Sequence, residues 1–232
     1  RIEALTTYCQ SAPMFISGGY PDDLVPATEQ VRMYTRTRNT YPKVPMALFL
    51  GSLGHPRGQQ QPEVSAALRS KEEEWTDHFL AGEGPRPASE VTSYTQTCPN
   101  GQPAGGPYTA PDWVSLAPGE IRIRDAAQKT ISATGGVPAI AQGWNGVMAG
   151  QNPCGTAAGA PEPGSANWSL PPAPAGGYTM QGSPTLIADL NLGDAPNSTI
   201  AARLVDLGPD GTSKTLVTRG IWRPWPTVSA TS

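Results

Sequence analysis

The sequence predicts an α/β unit followed by an all-β region, within a chain of 232 residues. Three observations carry this reading. Two short apolar runs, Met14-Phe-Ile-Ser17 and Met46-Ala-Leu-Phe-Leu50, have the continuous hydrophobicity of strands buried on both faces of a parallel sheet. A helix-like segment lies between them, and strand–helix–strand in that order is the crossover that joins parallel neighbours. The later half instead shows short alternating stretches between turn formers. Gly and Pro number 26 each, which suits an antiparallel sandwich or jelly roll.

Taken in order, the first strand runs over residues 13–17 and is broken by Gly18-Gly19. Residues 26–38 form the expected helix, with Pro26 in its first turn and Arg36 and Arg38 near the negative end of its dipole. Val31, Tyr34 and Thr35 are its expected inward face. The second strand follows at 45–50. Residues 62–80 make the strongest helix in the chain. Val64, Leu68, Trp75 and Phe79 fall on one apolar stripe, Pro62 opens the helix and Gly82 ends it.

Gly84-Pro-Arg-Pro-Ala88 then has the composition of a linker. On this basis residues 1–88 form one domain and 89–232 a second. Glu90 to Cys98 is expected to be the first strand of the second domain. Glu120-Ile-Arg-Ile-Arg124 and Thr185 to Leu192 alternate as half-buried strands do. Residues 99–119 and 150–177 are Pro/Gly/Ala loops, with Trp113 and Trp168 available to pin them. Thr199 to Leu207 and Lys214 to Trp222, joined through Gly208-Pro-Asp-Gly211, read as a β-hairpin.

Composition excludes several functions. With 16 basic and 19 acidic residues the net charge is −3, which argues against a nucleic-acid or anionic-membrane footprint. No run approaches the roughly 18 apolar residues of a membrane span. Two histidines, and three cysteines without Cys-x-x-Cys spacing, make a poor zinc site. The simplest reading of the three cysteines is unpaired or buried thiols; Cys98 and Cys154, both in Pro/Gly-rich loops, could instead form a disulfide, which would imply an oxidising, secreted setting, and without it a cytoplasmic one is expected. Cys9 is left over.

The chemistry concentrates after the two apolar strands. Asp22 and Asp23 follow the first, and His55 follows the second through Gly51-Ser-Leu-Gly54, 33 residues after Asp22. The carboxyl edge of such a sheet is where ligands bind. An imidazole there can act as general base, and a buried carboxylate on its other nitrogen fixes the tautomer. Either Asp22 or Asp23 could be that acid, Asp23 being equally placed to cap the next helix. His78, within the second helix, and Glu72-Glu-Glu74 read as solvated surface. Trp144, Trp222 and Trp225 could line a binding surface but read more simply as packing residues, and Asn197-Ser-Thr199 reads as a glycosylation sequon by pattern only.

Gly19-Tyr-Pro-Asp22-Asp-Leu-Val-Pro26 and Gly51-Ser-Leu-Gly-His55 together resemble the acid and histidine loops of an α/β-hydrolase. More narrowly, residues 13–98, ending in Val91-Thr-Ser-Tyr-Thr-Gln-Thr-Cys98, resemble the end of the catalytic domain in the CocE/NonD acyl-esterase and Xaa-Pro dipeptidyl-peptidase group. Ile200-Ala-Ala-Arg-Leu-Val-Asp-Leu-Gly-Pro-Asp-Gly211 resembles the jelly roll that follows it. The resemblance implies the C-terminal part of an α/β-hydrolase domain followed by a β-sandwich. It implies a serine hydrolase acting on an ester or peptide substrate, with Asp22 as acid, His55 as base and no cofactor. The sequence departs from the group in one respect. No Gly-x-Ser-x-Gly elbow occurs, and Ser17 and Ser52, which flank the loops, lack that context. The order Ser, acid, His places the expected nucleophile upstream of residue 1, so this chain alone is expected to be inactive.

Overall fold

In the computed structural model, residues 12–22, 24–54, 60–132, 154–158, 162–193 and 198–224 are described. Their contacts divide the chain into two compact units. One comprises residues 1–121 and 173–183, the other 122–172 and 184–232.

The first unit is built on a four-stranded sheet, β1 (Met14–Gly19), β2 (Met46–Gly51), β3 (Val91–Thr95) and β4 (Gly105–Ala110), in that spatial order. β1, β2 and β3 are parallel, and β4 is antiparallel to β3. Helix α1 (Ala27–Thr40) connects β1 to β2 and helix α2 (Pro62–Thr76) lies between β2 and β3. Every residue of β2 is buried, because its alternate side chains feed two different cores. Met46, Leu48 and Leu50 pack with Ile16, Tyr34, Val44 and Val91. Phe49 points the other way, to Leu53 and Val64, with Phe15 and Leu68 alongside. This is the two-sided burial that a continuously apolar strand requires.

Both expected helices are present. On α1 the buried residues are Tyr34 and Thr37; Val31 packs against the core and Thr35 is exposed. The expected inward Thr35 is thus corrected to Thr37, one turn beyond Tyr34 on the same helix face. Pro26 precedes the helix as its N-cap. Val64 and Trp75 are buried on α2, which continues into a π turn, Asp77–Ala81, and stops at Gly82 with φ +75°. The aromatic rings Phe15, Trp75 and Phe79 pack in sequence, tilted to one another, with centroids 5.9 and 4.6 Å apart.

Further expectations are corrected. Residues 99–119, expected as loop, carry strand β4, which β3 holds in the sheet. Val91, Thr92 and Ser93 open no second domain: they are buried between β2 and β4 in the first sheet. The Gly84–Ala88 breaker therefore ends a crossover, and the expected boundary at 88/89 falls inside the first unit. Valine and threonine signal a strand but not the sheet it joins. Residues 120–124 and 185–192 form no strand. Ile121, Ile123, Leu186 and Ile187 are exposed; their alternation is real, but no ladder partner faces them among the described residues, and an isolated strand is unstable. Trp222, expected to pack, is also exposed, at the end of its strand.

In the second unit, β6 (Ile200–Leu207) and β7 (Ser213–Trp222) form the expected antiparallel hairpin, and β5 (Thr156–Ala158) pairs with β7. The turn is built as its sequence dictates. Gly211 takes φ +69°, and the Asp210 carboxylate accepts from the Thr212 and Ser213 amides at 2.9 and 2.8 Å. Trp168 donates to Asp125 at 2.8 Å, and the Lys129 ammonium lies over its ring, so this tryptophan does pin its loop. Cys98 and Cys154 are each in the disulfide state. No helix among the described residues is long and apolar enough to cross a membrane.

Candidate functional site

The parallel strands deliver their following loops to one edge of the sheet. After β1 come Tyr20, Pro21 and Asp22; after β2 come Ser52, Leu53 and Gly54. In the parallel register Gly19 stands beside Gly51, and the Tyr20 amide donates to the Gly51 carbonyl at 3.0 Å. The loops then pass so closely that a side chain on Gly19 would run into the Leu53 carbonyl. That approach is why glycine ends β1.

Asp22 is held from two directions. Its Oδ1 accepts from the Leu24 and Val25 amides, each at 2.9 Å, which fixes the turn into α1. On the other side lies Gly54. A Cβ there would fall 2.6 Å from Oδ2, and the backbone has φ +98°. A glycine is thus required twice over at the residue that precedes His55. His55 and Asp23 lie outside the described residues.

The loop that carries His55 is closed by a residue sequence reasoning missed. Gln60, at φ +53°, donates its amide to the Ser52 carbonyl at 3.0 Å and its Nε2 to the Gly54 carbonyl at 2.7 Å. Gln60 thus ties itself, by its backbone amide and its side chain, to Ser52 and Gly54 at the end of the loop after β2. Its only sequence signal was its place in a run of three glutamines, which has no specific meaning.

A second cluster was also not anticipated. Tyr20, Ser93 at the centre of β3, and Gln181 meet in a triangle. Tyr20 Oη and Ser93 Oγ are 2.8 Å apart, Ser93 donates to Gln181 Oε1 at 2.7 Å, and Tyr20 donates to the same oxygen at 3.0 Å. Burial pushes the Tyr20 phenol above its ordinary value of 10.0, with the Ser93 hydrogen bond opposing the shift, so the phenol stays neutral. Nothing local in the sequence could pair residues 161 positions apart.

Ser52 is fully buried and Ser17 lies within β1; neither stands on a strand-to-helix elbow. His78 sits half-buried, its Nδ1 3.3 Å from the Gly84 carbonyl and its ring edge-on to Phe79, a structural setting at the end of α2. No group of three or more metal-ligating side chains occurs among the described residues. Compared with models of known protein families, with curated proteins and with solved structures, the chain matches nothing.

Proposed function

We propose that this chain carries the acid and the histidine of a serine hydrolase, cleaving an ester or an Xaa-Pro amide bond through an acyl-enzyme. The observation that supports it most is the contact of the two loops. Asp22 lies against Gly54, the residue before His55, at the carboxyl edge of adjacent parallel strands. Asp22 orients the imidazole and stabilises its protonated form. His55 takes the proton from the nucleophile and returns it to the leaving group. The nucleophilic serine and the oxyanion donors come from polypeptide outside this sequence, and no cofactor is required. The disulfide state of Cys98 and Cys154 supports an oxidising, extracytoplasmic setting.

The test uses the full-length polypeptide, a p-nitrophenyl ester, an Xaa-Pro p-nitroanilide and a fluorophosphonate label. Asp22→Asn and His55→Ala should each abolish turnover by about three orders of magnitude or more. Unchanged turnover in either variant would sink the proposal. The same result would favour a binding module for a peptide or glycan, a reading supported by the exposed Val217, Ile221 and Trp222 on the hairpin.

A further inference from the structure

The Tyr20–Ser93–Gln181 triangle lies at the root of the acid loop. Tyr20 is two residues before Asp22, and its own amide is tied to Gly51. Pro21, with its fixed φ, separates the two, so the anchor of the phenol constrains the approach of the carboxylate that the Leu24 and Val25 amides hold from the other side. Ser93 is fully buried and paired in register with Leu50. It is a fixed post in the middle of the sheet.

The proton count shows what Gln181 contributes. Two hydroxyl protons must serve three short contacts between three oxygens, so the triangle is one donor short. At the same time the Gln181 Nε2 is buried with no partner. A half-turn of the carboxamide puts Nε2 at the shared corner, where it donates to both hydroxyl oxygens, and one hydroxyl then donates to the other. All three contacts are satisfied in that orientation. A carboxamide is the one neutral side-chain group that carries two donors on one nitrogen. Segment 173–183 is otherwise mostly exposed, and Gly176, Gly177 and Gly182 in it have positive φ. Gln181 and Gly182 are the half-buried pair near its end, and Gln181 is the residue that fastens it there.

We propose that Tyr20, Ser93 and Gln181 are positioning residues for the acid loop, with Gln181 as the latch by which the strap 173–183 sets the place of Asp22. This rests on the hydrolase reading of Asp22 and His55 above. None of the three touches substrate. They act through Asp22, and so alter the chemical step rather than substrate capture.

The experiment is steady-state kinetics on the full-length polypeptide with p-nitrophenyl butyrate, paired with the rate of fluorophosphonate labelling and with the melting temperature. Tyr20→Phe and Gln181→Ala should each lower kcat and the labelling rate roughly 10- to 100-fold, the scale on which a misplacement of about an ångström acts. KM should stay within about twofold. Asp22→Asn is the control that separates the two ideas. If it removes activity while both cluster variants keep wild-type kcat and labelling, whatever their melting temperatures, the cluster is only structural and the proposal falls. If Asp22→Asn keeps its activity, the hydrolase reading fails and the positioning role goes with it. If either cluster variant does not fold, Gln181→Glu keeps the shape but removes the paired donors, and full activity in that variant overturns the proposal.

Discussion

Gly54 packs directly on the carboxylate of Asp22: a methyl group at its Cα would come 2.6 Å from Oδ2. The positive φ of +98° at the same residue is a conformation that other L-residues rarely adopt. Gly54→Ala should therefore destabilise the chain by at least about 2 kcal/mol, from backbone strain and the displaced carboxylate together. Urea denaturation of the variant checks this. A midpoint equal to wild type would mean that the two loops are not in contact.

The core of the first unit should be far less tolerant than its rim. Leu48 is 1% exposed on β2 and Leu80, in the π turn, is 84% exposed. Leu48→Ala should cost about 2–5 kcal/mol, and Leu80→Ala should stay within about 0.5 kcal/mol. Comparable losses in the two variants would contradict the burial described for β2.

A Cys98–Cys154 bridge, the pairing that the sequence suggests, encloses a loop of over fifty residues. On the chain-entropy account, closing it should stabilise the fold by about 4 kcal/mol. Alkylation of denatured protein should capture two more thiols after reduction than before, and the reduced protein should melt at a lower temperature. Equal thiol counts before and after would show that these two cysteines are not bonded.

The hairpin turn should respond to acid. Hydrogen bonds from the Thr212 and Ser213 amides hold the Asp210 carboxyl below its ordinary value of 3.8. A carboxyl whose value is lower in the folded state than in the unfolded one contributes stability that is present above 3.8. That contribution is lost as pH falls through the folded value. Asp210→Asn should flatten the acid limb of the stability–pH curve and leave its neutral region with a constant offset. An acid limb of unchanged steepness would assign the loss to other carboxylates, such as Asp112 and Asp125, which are lowered in the same way.

What could be seen in advance follows the range of the forces involved. Helix α1, helix α2 and strand β2 were legible because their signals are local: an apolar stripe around Val64 and Trp75, a proline at a helix start, an unbroken apolar run. The β6–β7 hairpin was legible because Pro209-Asp210-Gly211 fixes its turn within a few residues. The approach of the loop after β1 to the loop after β2 is readable for the same reason, since one crossover separates them. The sheet that β3 joins is not legible in the sequence, because pairing partners are chosen by tertiary packing, and Val91-Thr92-Ser93 would suit either sheet equally. Ile121 and Leu186 were given strands because alternation records a preference, not the presence of a partner. Gln60 and Gln181 were missed because a glutamine has meaning only once its neighbours in space are known.

The antiparallel direction of β4 gives the first sheet a polarity from one side to the other. Parallel neighbours are added through long crossovers, whereas β4 follows β3 after a short loop and carries Pro107, which has no amide hydrogen to offer a further strand. Accretion beyond β4 is thereby blunted. At the opposite side β1 holds Met14-Phe-Ile-Ser-Gly-Gly19, with neither proline nor charge, and no strand lies beyond it among the described residues. Such an edge is a ready template for pairing. Among the described residues the sheet thus has one blunted edge, at β4, and one open edge, at β1, the strand that feeds Asp22.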